Sequence, residues 1–145
     1  MNMVDLYYYA LLAIGCSITM AVLICGCSSA GPAPEDRIIR TIPPTEASTL
    51  IEENVQRPEF VIIDVRRPDE FAGGHIPGAI NIDSALFSEQ IGGLDPDGTY
   101  VIYCQRGARS AGIRELMREA GFREVYEVEG GISAWKAVGL PVVAE

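Results

Sequence analysis

Residues 60–65 read FVIIDV, a continuous apolar run bounded by Pro58 on one side and by charged residues on the other. A strand with one wet face alternates polar and apolar residues. This one does not, so both faces are expected to be covered, with helices above and below the sheet. Other short runs surround it. Residues 38–42, 79–82, 99–103 and 125–128 are rich in Val, Ile and Tyr and are punctuated by Pro43–Pro44, Pro77–Gly78 and Asp95–Pro96–Asp97–Gly98.

Helical patterns separate these strands. Thr45, with Glu46 behind it, is predicted to cap a helix running to Asn54. One helical turn is predicted around Asp69–Glu70–Phe71, ended by Gly73–Gly74, and a helix over 84–91, closed by Gly92–Gly93. From Ala111 to Ala120 the spacing sets Ala111, Ile113, Leu116 and Met117 inward and Arg114, Glu115, Arg118 and Glu119 outward, with Gly121 as the C-cap. Gly130–Gly131 precedes a last short helix through Trp135 and Lys136. The glycine doublets read as turns or caps, and Trp135 as a core plug. The expected fold is a small α/β domain with a mostly parallel central sheet flanked by helices, preceded by an apolar N-terminal segment.

That segment divides the chain into 1–27, a signal peptide or membrane anchor; 28–36, a flexible linker; and 37–145, the folded domain. From Leu6 to Cys27 there is no charge, and as a helix the stretch would be about 33 Å long, enough for a hydrocarbon core of ~30 Å. Residues 24–27 (ICGC), followed by SSAGP, resemble the processing site of a prokaryotic lipoprotein. That resemblance makes Cys27 a lipidation candidate. The expected localisation is membrane-associated and exported, by a lipid anchor or a single N-terminal transmembrane helix, with a cytoplasmic-facing orientation as the alternative.

Charge and cysteine usage narrow the chemistry. The chain carries 20 acidic and 11 basic residues, a formal net charge of −9, and has no basic and aromatic strip; nucleic acid is a poor partner for such a field. Three of the four cysteines, Cys16, Cys25 and Cys27, lie in the apolar segment, leaving Cys104 alone in the domain. No internal disulfide can form there, so an exported domain would have to bury or use that thiol. His75 is the single histidine, without a companion for a His-rich metal site, and is read as a structural hydrogen-bonding residue. Neither a metal nor a cofactor is expected; no dinucleotide fingerprint or P-loop is present.

Cys104 follows the strand 99–103, and the stretch Cys104–Gln105–Arg106–Gly107–Ala108–Arg109–Ser110 leads into a helix. If that loop wraps the sulfur, its N–H groups and those of the helix's first turn converge there and favour the thiolate over the thiol. Gly107 supplies a dihedral that a side chain would oppose, and Ala108 leaves room for a bound group. Arg109 is expected to orient the loop and an anionic donor, Arg106 to stand at the pocket mouth, and Ser110 to cap the helix and give a hydroxyl to the loop. Asp64, Arg66 and Glu70 are read as supports for the loop, not as reacting groups.

Three motifs in order resemble the rhodanese-like domain family: DVRRPDEFAGGHIPGAIN at 64–81, CQRGARS at 104–110, and GGISAW at 130–135. The resemblance covers essentially residues 38 to 143. It implies an α/β domain whose loop cysteine, here Cys104, takes a sulfane sulfur as a persulfide. The donor would be a small sulfur-containing anion such as thiosulfate, and the acceptor cyanide or a thiol, a protein thiol among them. This loop departs from the family's commoner Cys-Arg-Ser-Gly-x-Arg-Ser form at Gln105 and Arg106, which bears on donor preference. Cysteine phosphatases need five residues between Cys and Arg, whereas here Arg109 follows Cys104 after four. Two alternatives stay open beside a thiosulfate:cyanide type of enzyme: a sulfur-delivery module for a partner protein, and a catalytically idle docking domain.

Overall fold

The computed structural model describes residues 37–144. The chain runs through β1 (Ile38–Ile42), α1 (Pro44–Asn54), β2 (Phe60–Asp64), α2 (Pro68–Ala72), β3 (Ile80–Asn81), α3 (Phe87–Gln90) with a 3₁₀ turn (Ile91–Gly93), β4 (Thr99–Tyr103), α4 (Ala108–Glu119), β5 (Glu124–Val128) and α5 (Gly131–Ala137). The five strands form one parallel sheet in the order β1-β5-β4-β2-β3. All five residues of β4 are buried, as its central position requires.

Strand alternation sorts the core into two layers. Phe60, Ile62, Val101, Tyr103, Tyr126 and Val128 pack with Ala47 of α1 and with Ile132 and Trp135 of α5. Ile63, Tyr100, Ile102, Cys104 and Val125 pack on the other face with Phe87 of α3 and with Ile113 and Met117 of α4. Cys104 therefore continues the row of β4 that faces α4. The helices end where their sequences break: Phe122 N–H bonds Met117 O and Gly121 N–H bonds Arg118 O, closing α4.

Several boundaries differ from the sequence reading. β2 stops at Asp64, because Asp64 and Arg66 close a local turn on each other. The strand expected over 79–82 is reduced to Ile80–Asn81, which finds partners only on β2 at the edge of the sheet. The helix expected over 84–91 is the single turn Phe87–Gln90. Thr45 is not a cap, since α1 begins at Pro44 after Pro43, with no side-chain cap. α4 begins at Ala108, three residues before the expected start, so the second half of the cysteine loop is helix.

The expected localisation also needs correction. No helix of the described residues is long and apolar enough to cross a membrane. The longest, α4, has 12 residues and spans about 18 Å, against a hydrocarbon core of ~30 Å. The described residues thus give no support to a single transmembrane helix, and the localisation built on one is not carried further. The segment 1–27, with Cys27, lies outside the described residues.

Candidate active site

The carboxyl ends of parallel strands open onto a crevice that adjoining loops complete. Here β4 delivers Cys104, β2 delivers Asp64, and β5 delivers Glu127 to that end of the sheet. Ten of the residues singled out in the sequence gather there: Asp64, Arg66, Glu70 and the seven of 104–110.

Cys104 is buried, with 2% of its surface exposed. Gly107 N–H donates to its Sγ at 3.1 Å, and the Ser110 Oγ lies 3.4 Å from the same sulfur. Burial pushes the thiol up. The Ser110 hydroxyl, when it turns to the sulfur, and the N–H groups of Ser110, Arg106 and Gly107 pull it down by more, and the net direction is below the ordinary thiol value.

Two glycines make the cradle. Gly107, at φ 100°, reverses the chain immediately before α4 so that its own N–H points back at the sulfur. Gly131 allows the closest approach in the site: a Cβ there would stand 2.2 Å from the Cys104 carbonyl oxygen. That contact lets Ile132 N–H bond Cys104 O at 2.9 Å and Ser133 N–H bond Gln105 O at 3.1 Å. The first turn of α5 thus holds the loop's first two carbonyls away from the sulfur. Gly131 is more than the turn or cap that the sequence reading made of it.

The supporting side chains form two clamps. Asp64, fully buried, accepts from the Arg66 N–H and from Arg66 Nε and Nη2, at 2.6 to 3.0 Å. Arg66 also donates to Gly74 O at 2.7 Å and to Gln105 Oε1 at 3.3 Å, and Gln105 Nε2 donates to Ser133 Oγ at 2.9 Å. Gln105 is therefore a brace between the end of β2 and α5. Asn81 completes this clamp by donating to Asp64 O and Arg66 O.

The second clamp joins α4 to α2. Arg109 meets Glu70 with both guanidinium nitrogens, Nη1 to Oε2 at 2.7 Å and Nη2 to Oε1 at 2.8 Å. These bonds, with the Arg67 N–H beside them and burial opposing, hold the Glu70 carboxyl down to about 2. Arg109 thus ties the start of α4 to α2, with its guanidinium engaged by Glu70. Arg106 and Ala108 are exposed. Ser110 departs from its expected capping role: it lies inside the first turn of α4 and is fully buried.

Other residues match or extend the reading. His75 stacks on Phe71 at 3.8 Å, its Nδ1 lies 3.0 Å from Phe71 O, and its backbone pairs with Val143. Trp135 is buried and donates Nε1–H to Pro141 O. Glu127, 4% exposed, was missed; its oxygens receive Ser110, Thr41 and Arg114. Its signal was present as a carboxylate inside the apolar run 125–128, the same signal that marked Asp64. Among the described residues no cluster of His, Cys, Asp and Glu could hold a metal ion.

As chemistry, the arrangement is a sulfur held among hydrogen-bond donors at the head of a helix. It suits a thiolate, or a sulfur anion bonded to it.

Comparison with known proteins agrees with this geometry. The family model described as rhodanese-like domain matches residues 44–138. A sulfurtransferase of Allochromatium vinosum is 32% identical over 99 residues, covering 68% of this chain and 92% of that protein. The thiosulfate sulfurtransferase GlpE of Pseudomonas fluorescens is 34% identical over 97 residues, covering 67% of this chain and 84% of its own length. Among solved structures, a rhodanese-related protein from Thermoplasma volcanium superposes with a TM-score of 0.63 at 34% identity, covering 73% of this chain and 99% of that one.

Proposed function

The chain belongs to the rhodanese-like domain family, whose fold is capable of sulfur-transfer chemistry, and on that premise we propose that it is a thiosulfate sulfurtransferase-like enzyme working through Cys104. The observation that carries this reading is the hydrogen-bonded sulfur itself, with Gly107 N–H donating at 3.1 Å at the head of α4.

In the first half-reaction the Cys104 thiolate attacks the outer sulfur of a donor such as thiosulfate. A new S–S bond forms, the old one breaks with its electron pair leaving on sulfite, and a persulfide anion remains. No proton is gained or lost. In the second, an acceptor such as cyanide or a thiolate attacks the terminal sulfur, and the Cys104 thiolate returns. Loop N–H groups that favour a thiolate also favour the charge on the terminal sulfur. Arg106, exposed beside them, supplies positive charge to draw an anionic donor to a chain whose net charge is −9.

The remaining loop residues act through position. Arg109 locks the start of α4 to α2, Gln105 ties the loop to Arg66 and Ser133, and Ala108 leaves its surroundings open. Asp64, Arg66 and Glu70 hold these residues in place.

Replacement of Cys104 with Ser is expected to reduce thiocyanate production from thiosulfate and cyanide to background. Intact-mass measurement after thiosulfate treatment should show the wild-type chain heavier by one sulfur atom and the variant unchanged. Thiocyanate production by the folded variant at the wild-type rate would refute the assignment.

A further inference from the structure

One hydroxyl proton in this site faces three acceptors. Ser110 Oγ lies 3.4 Å from Cys104 Sγ, 3.1 Å from Gly107 O and 2.7 Å from Glu127 Oε1. A hydroxyl has a single proton to donate, so a bond to the carboxylate withdraws it from the sulfur. The carboxylate is the nearest and the strongest acceptor of the three.

Glu127 is placed for this competition by residues far from it in sequence. It sits on β5 beside Thr41 of β1, and its side chain is 5% exposed. Its Oε2 accepts from Thr41 Oγ1 at 3.1 Å and from Arg114 Nη1 at 2.8 Å, and Arg114 also meets the Thr41 hydroxyl. Those two donors fix one oxygen, which leaves Oε1 to face Ser110. The charged and titratable groups that bear on this link are Arg114 from α4 on the carboxylate and, through Ser110, Cys104 from β4, with the charge of Arg109 from α4 also acting on the sulfur. Thr41 from β1 is neutral.

We propose that Glu127 is a positioning residue that acts through Ser110 and sets how readily Cys104 ionises, with Arg114 limiting its effect. Its negative charge and its hold on the Ser110 proton both oppose a second negative charge on the sulfur. Arg114 offsets the first of these by pairing with the carboxylate.

This arrangement fixes the direction of each substitution. In Glu127→Gln the two donors on the Oε2 side select the amide oxygen, so the amide NH₂ turns to Ser110 Oγ. The hydroxyl then has only Gly107 O and the sulfur to donate to, a thiolate being the stronger acceptor of the two, and the charge behind it is gone. Both changes favour the thiolate. In Arg114→Gln the carboxylate loses its counter-charge, and the thiolate becomes less favourable.

The inference rests on Cys104 being the reactive sulfur, but its test does not need sulfur transfer. The rate of Cys104 alkylation by iodoacetamide, followed by mass on the full chain across pH, reports thiol ionisation directly. Glu127→Gln should move the midpoint to lower pH and raise the rate below that midpoint roughly fivefold, while Arg114→Gln should move it to higher pH. In a Ser110→Ala background the effect of Glu127→Gln should shrink by about half or more, since the hydroxyl no longer connects the two groups.

An unchanged or raised midpoint in folded Glu127→Gln would overturn the proposal. So would a shift of undiminished size in the Ser110→Ala background. If Glu127→Gln does not fold, Arg114→Gln decides alone: a midpoint moved upward supports the role, and one unmoved or lowered refutes it. Loss of thiocyanate production with these shifts intact would count against the proposed enzyme and not against Glu127.

Discussion

A single hydrogen atom at Gly131 separates a closed loop from an impossible one. The Cβ of any other residue would lie 2.2 Å from the Cys104 carbonyl oxygen and 2.9 Å from the Gln105 carbonyl carbon, both backbone atoms that cannot turn aside. The position also has φ 59°, which side chains oppose. Gly131→Ala is expected to destabilise the domain by about 3 kcal/mol or more and to open the loop. Gly112 is the matched control, being in α4 with nothing within 4 Å of an added Cβ; Gly112→Ala should instead stabilise by about 0.5–1 kcal/mol. Thermal or denaturant unfolding of the two variants reads both signs. An equal response at the two sites would show that the α5 contact does not constrain the loop.

At the scale of elements, the loop is held from both sides by helices that contribute no reacting atom. The Arg109–Glu70 pair joins α4 to α2, with the Glu70 side chain 21% and the Arg109 side chain 33% exposed. Glu70→Gln is expected to cost about 1–2 kcal/mol at neutral pH, the lower part of the range for hydrogen bonds to charged groups, because the pair is partly exposed to solvent. The carboxyl titrates near 4.5 when unpaired and at about 2 in the folded domain. Its contribution is therefore complete above about pH 4.5 and is lost as the pH falls through about 2. Urea unfolding of wild type and variant at a series of pH values should show the gap between them closing over that interval. A gap independent of pH would mean that the ion pair contributes nothing to folding. This pair was only half legible beforehand: Arg109 and Glu70 were each singled out, but nothing local says that one guanidinium would meet a carboxylate 39 positions away.

For the molecule as a whole, the buried pair Asp64 and Arg66 ties the sheet's carboxyl end into one unit. It gathers β2, the Gly74 carbonyl, Gln105 and, through Gln105, α5. Arg66→Ala leaves a fully buried carboxylate without its counter-charge and is expected to cost about 3–5 kcal/mol, measurable by equilibrium unfolding. A loss under about 1 kcal/mol would show that Asp64 finds other donors without help. The residues of this unit were mostly visible in the sequence, because an Asp closing an apolar strand and a glycine in a cysteine loop are local signals. Apolar run lengths and turn residues likewise determined the strands, their order along the chain and the helices between them, since burial of a strand and the dihedrals of a turn are properties of a few adjacent residues. Tertiary structure alone decided that β1 lies beside β5, and so that Thr41, Arg114 and Ser110 close around Glu127. Register between distant strands follows from how whole layers pack, and no short stretch of sequence carries that information.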